Sequence, residues 1–243
     1  MYRKSFTALF TVILTVAALA AIVVVIISKS SAVPPSPANS NTLPSALDLV
    51  DQDGNPVHLE LSSLPLYEQY LESSRDIPAE IARTQAETLP LSRPERFLLL
   101  KYNCGNKHCD TNLVRMAEPE SGSPTISIGL AGGIYQDFQL SPDGNSVLLR
   151  FAYNEGGTLL RHILIAAELR KMELLPAASA TLADTYMHTP NWPIVSYRWI
   201  SNQQFRVERP DLDSAEYQAV QQWSSLDHPP VRAIDILLKT GTR

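Results

Sequence analysis

The 243-residue chain changes its hydrophobic rhythm three times. From Phe6 to Ile27 there are 22 residues without a charge. At about 1.5 Å rise per residue they make a helix of about 33 Å, enough for the roughly 30 Å hydrocarbon core of a bilayer. Leu47 and Leu49, then Val57, Leu59 and Leu61, alternate with polar residues on either side of Asp53-Gly54-Asn55, a pattern that predicts a small hairpin. Residues 62–90 take helical spacing: Pro65 and Pro78 suit first turns, Asp76 suits an N-cap, and Ile77, Ile81 and Ala82 share a face until Pro90. Tyr67, Tyr70 and Leu71 are expected in the core beneath these helices. Beyond them the period shortens to that of strands, first in "RFLLLKYN" and "TNLVRMAE".

Arg3 and Lys4 precede the long apolar run and Lys29 alone follows it closely. The positive-inside rule then keeps residues 1–5 in the cytoplasm, makes 6–27 an uncleaved signal-anchor in the lipid bilayer, and places the rest outside the cell membrane. A cleaved signal peptide is the competing reading, but its apolar region runs to about 15 residues at most. Ala17 and Ala21 form a small-residue pair through which a second copy can approach, one route to homodimerisation; alanine is also simply common in such helices. Residues 28–46 hold Pro34, Pro35, Pro37 and Pro44 among serines and asparagines, which predicts an extended stalk. The single extracytoplasmic domain is expected over 47–243, with hairpin and helices in 47–92 and β structure in 93–243.

The stretch 134–176, "IYQDFQLSPDGNSVLLRFAYNEGGTLLRHILIAAELRKMELLP", resembles one blade of the TolB or WD40-like propeller repeats. The resemblance lies in Phe138, the turn Ser141-Pro142-Asp143-Gly144 and the run Val147, Leu148, Leu149. It implies consecutive antiparallel strands, and a fainter copy follows in "IVSYRWISNQQFRVERPDL" with "VRAIDILLKT". A full propeller of four or more blades does not fit the remaining length. The fold class expected is therefore mainly β, in antiparallel, propeller-blade-like sheets with a few N-terminal helices. Residues 159–175 also carry good helix formers, and two strands are favoured there for their position after the Ser-Pro-Asp-Gly strand.

The net charge of −5 gives no positive field for nucleic acid or for a polybasic lipid contact. Catalytic signatures are missing: there is no Gly-x-Ser-x-Gly, His-Glu-x-x-His, phosphate loop or Gly-x-Gly-x-x-Gly, and no cofactor is expected. Cys104 and Cys109 are the two cysteines of the chain, with His108 between them. Outside the membrane they are expected to pair across a hairpin loop, adding about 2 kcal/mol in the chain-entropy model. Zinc needs a fourth ligand beyond Cys104, His108 and Cys109, and a redox pair usually has two intervening residues. Asp211, Asp213 and Glu216 are weak calcium candidates. Trp192, Tyr197, Trp199 and Trp223 either line a peptide or glycan groove or pack in the core. The function expected is a non-catalytic binding module of the cell envelope with a protein or glycan partner. The alternatives are an extracytoplasmic hydrolase or carbohydrate-active enzyme, and a membrane-tethered assembly or sensing factor.

Overall fold

The computed structural model describes residues 41–91, 93–106, 108–117 and 123–239. The tail at 1–5, the span at 6–27 and residues 28–40 of the stalk lie outside the described residues. Among the described residues no helix is long and apolar enough to cross a membrane. The folded unit starts at Asn41, earlier than the boundary expected at 47. Asn41 Oδ1 accepts a hydrogen bond from the Ile77 amide at 3.0 Å, and Leu43 packs on the core that includes Leu47, Tyr67 and Leu71, so this end of the stalk belongs to the fold.

β1 (Ala46–Val50) and β2 (Pro56–Glu60) form the hairpin, in register from Ala46↔Glu60 to Val50↔Pro56. Asp51 organises the turn: its Oδ1 accepts from the amides of Asp53 and Asn55 at 3.0 and 2.8 Å, and Gly54 takes the positive φ of 84°. α1 (Pro65–Ser73) opens on its proline and buries Tyr67 and Leu71, one turn apart. α2 (Ile77–Arg83) is capped by Asp76, whose side chain accepts from the Ala79 amide.

The helical run stops sooner than its spacing predicts. Residues 85–89 form strand β3 (Gln85–Leu89) instead, because pairing with the apolar β4 (Phe97–Tyr102) satisfies their backbone and buries Ala86 and Leu89 on opposite faces. That ladder outweighs the helix propensity of Gln-Ala-Glu.

β3 and β4 begin a seven-stranded antiparallel sheet whose order follows the chain: β5 (Cys109–Arg115), β6 (Ile126–Leu140), β7 (Ser146–Glu155), β8 (Leu159–Glu168) and β9 (Glu173–Leu174). β8 and β9 decide the helix-or-strand question at 159–175 in favour of strands. β6 changes partner midway, pairing with β5 as far as Gly133 and with β7 from Ile134. Gly133 sits at φ 133°, a conformation L side chains rarely adopt. The two halves of the sheet share one core: Leu99 and Leu113 lie in the same cluster as Leu149, Phe151 and Ile163. The sheet is thus folded back on itself at β6.

Alternation along the strands sends the other side chains outward. Leu98, Leu100 and Val114 pack with the hairpin and α1, while Leu148, Leu164 and Ala166 meet a second sheet. That sheet has three antiparallel strands, β10 (Ser196–Ser201), β11 (Gln204–Pro210) and β12 (Val231–Leu237). α3 (Ala180–Ala183) and α4 (Tyr217–Ser224) complete this end. The expected mainly antiparallel β domain with helices near its start is what the chain forms. Among the described residues no barrel or propeller closes: β3 and β9 remain the free ends of the large sheet.

Candidate functional site

α1 lies against the outer face of β4–β6, and Gly129 makes the close approach possible. It stands opposite Asn112 in the β5–β6 register, and a Cβ there would overlap Leu66 Cδ1 of α1. Beside this contact the helix and sheet diverge into a cleft of about 450 Å³, lined by Gln69, Tyr70, Ser73, Tyr102, Asp110 and Asn112. Asn112 forms the floor. It is 1% exposed and its Oδ1 accepts from Tyr102 Oη at 3.3 Å, yet its Nδ2 has no hydrogen-bond partner. An unpaired buried amide donor costs about 1–3 kcal/mol, so the floor favours anything that brings an acceptor.

The wall is aromatic. Tyr102 meets Tyr67 edge-on at 4.9 Å and Tyr70 at 5.1 Å between ring centroids. Tyr70 Oη donates to Glu80 Oε2 at 2.5 Å. Burial pushes both the Tyr70 and Tyr102 phenols up to about 12, helped by Glu80 at Tyr70 and by the charge of Asp110 at Tyr102. Both remain protonated donors across the physiological range.

The rim is set by the disulfide. Cys104 and Cys109 are bonded, with their Cα atoms 4.1 Å apart. Asp110, next in the chain, gathers the loop: its carboxylate accepts from Asn103 Nδ2 at 2.8 Å and pairs with His108 Nε2 at 2.9 Å. His108 in turn lies against Gly132, where a Cβ would overlap its ring. Loop, floor and helix are therefore mechanically joined around one cleft.

The aromatic candidates go elsewhere. Trp192 and Tyr197 are 8% and 6% exposed, inside the core between the large sheet and the second one. Tyr197 Oη donates to Asp137 Oδ1, Trp199 Nε1 to the Gln139 carbonyl, and Trp223 Nε1 to the Pro230 carbonyl. Tyr197 and Trp199 thereby tie the second sheet to β6, while the Trp223 bond is local, from α4 to the segment before β12. Of the calcium candidates Asp211, Asp213 and Glu216, the first two face Arg232, which pairs with Asp211 at 2.6 Å and Asp213 at 3.6 Å. Among the described residues no cluster of three or more histidine, cysteine or acidic side chains is arranged to hold a metal.

Sequence reasoning missed the cleft, although one signal was present. In β5 the side chains of Asn112 and Val114 lie on the same face, so an asparagine occupies a position where the strand period calls for an apolar residue. Compared with the profiles of protein families, with curated proteins and with solved structures, the chain gives no match.

Proposed function

We propose that the chain is a membrane-anchored, extracytoplasmic binding module of the cell envelope, non-catalytic, held through residues 6–27 with its amino terminus inside. The observation that carries this reading is the pairing of a charge-free 22-residue run near the amino terminus with a disulfide in the domain that follows it. Disulfides persist in oxidising compartments, so a bonded Cys104–Cys109 fits placement outside the membrane. The cleft beside that disulfide supports binding as the activity. Within it the acidic side chain is Asp110 alone, already engaged by Asn103 and His108, which leaves no second carboxylate for hydrolysis of the usual glycosidase kind. The Ser141–Gly144 turn and the consecutive strands β6–β9 support reading this part of the sheet as a single blade-like repeat.

The test is labelling of intact cells with a membrane-impermeant maleimide before and after reduction, with mass spectrometry of residues 97–115 and of the amino-terminal peptide. Labelling only after reduction, with the apolar run still attached, is the expected result. Labelling that requires lysis would place the domain in the cytoplasm and end the proposal.

A further inference from the structure

We propose that the cleft between α1 and β4–β6 is a saccharide site that takes one neutral sugar residue, with Asn112 Nδ2 as its buried donor and Asp110 as the acceptor at its rim. This deepens the binding reading above and rests on it for the setting in which such a sugar would be met.

The cleft has the size for a small ligand: its 450 Å³ lies within the roughly 300–1,000 Å³ of small-molecule sites. Its chemistry narrows the class. The lining holds one carboxylate and no lysine or arginine, so an anion finds no opposite charge. A purely apolar ligand would leave the Asn112 donor as unpaired as it is in the free protein, whereas a ligand that brings an acceptor would satisfy it. A peptide adding as a strand could use only the edge of β6 before Gly133, because β4 and β5, which carry Tyr102, Asp110 and Asn112, are hydrogen-bonded on both sides.

A neutral ring with one apolar C–H face and a rim of hydroxyls meets every condition. Leu66 and the tyrosine rings offer the apolar wall. Asn112 donates to a ring substituent, Asp110 accepts from a hydroxyl, and Gln69 and Ser73 stand exposed at the mouth for further hydroxyls. The side chains that hold this geometry are fixed before the ligand arrives: Tyr102 by Asn112, Tyr70 by Glu80, Asp110 by Asn103 and His108. Such pre-ordering lowers the entropy lost on binding.

The experiment is a titration of the full-length chain in lipid nanodiscs, followed by saturation-transfer NMR. The probes are N,N′-diacetylchitobiose, cellobiose and maltotriose, with trialanine as the peptide control. Saturable binding of at least one saccharide is expected, with Kd raised about tenfold by Asn112→Ala, the loss of one buried hydrogen bond. Gln69→Ala, at an exposed helix position, is expected to weaken binding severalfold and serves if Asn112→Ala does not fold. No saturable saccharide binding overturns the proposal. So does binding indifferent to both substitutions, and so does preference for trialanine, which would make the cleft a peptide site. The titration reads the cleft whatever the orientation of the chain, and the maleimide experiment reads orientation whatever the cleft binds, so the two failures are separable.

Discussion

The guanidinium of Arg209 lies over the indole of Trp192, with Cζ 3.9 Å from the ring centroid. Both residues are buried, and Arg209 donates from Nε to Tyr186 Oη and from Nη1 to the carbonyls of Pro210 and Leu212. The cation is thus neutralised by a ring face and dipoles rather than by a carboxylate. A lysine in its place keeps the charge but loses the planar fork. Arg209→Lys is therefore expected to lower stability by about 2 kcal/mol, read as a lower urea midpoint at unchanged slope. A midpoint within error of the wild type would show that the ring and fork contribute nothing.

Leu66 and Gly129 set how closely α1 sits on the sheet. Gly129→Ala is expected to cost about 1–3 kcal/mol by overpacking. Leu66 is 48% exposed, so trimming it should relieve the clash at little cost of its own. The double variant Gly129→Ala with Leu66→Ala is expected to recover most of the loss in thermal unfolding. Additive losses would mean that the glycine is needed for another reason.

The Cys104–Cys109 bond closes a short loop, so its removal is a modest change in global stability and a larger one locally. Replacing both cysteines by serine is expected to cost about 2 kcal/mol in the chain-entropy model. Amide hydrogen exchange should rise at the flanking strand ends, near Tyr102 and Asp110, and stay unchanged in β7 and β8. Uniform acceleration across the domain would indicate that the bond supports the whole core.

Much of the architecture is written in local pattern. The hairpin turn at Asp51–Asn55, the Asp76 cap and the strands either side of the cysteines all follow from short-range chemistry. What escapes local reading depends on distant partners. β3 is a strand because β4 lies beside it, and β6 changes partner at a glycine whose role appears only once both halves share a core. The cleft is less legible still. Asn112, Tyr102 and Tyr70 belong to three elements, and Asn112 hints at it only as a polar residue out of phase with its strand. Trp192 and Tyr197 take the core alternative that the sequence left open, because large aromatics fill layer junctions as readily as they line grooves.

His162 stands 9% exposed in β8, and its Nδ1 accepts a hydrogen bond from the Ile194 amide at 2.9 Å, which requires the neutral ring. Burial lowers its pKa to about 4, and the nearby charge of Arg150 adds to the effect against the opposing Asp137. The folded value lies below the unfolded one near 6.5, so between them the unfolded chain binds more protons. The contribution is complete above pH 6.5 and is lost as the pH falls through about 4, reaching about 3 kcal/mol. Asp51, held near 2 because hydrogen bonds from Asn55 and Thr88 outweigh its burial, acts only in a lower window, from its unfolded value of 3.8 down to about 2. His58, raised by its hydrogen bonds to Asp48 and Glu60, tilts stability the other way, favouring the folded state below its unfolded value and losing that as the pH rises. Comparing wild type with His162→Gln isolates the buried ring. Urea midpoints of the wild type should fall more steeply from pH 6.5 to 4 than those of the variant, whose amide oxygen can still accept from Ile194. Parallel curves would mean that His162 is already accessible to protons in the folded state.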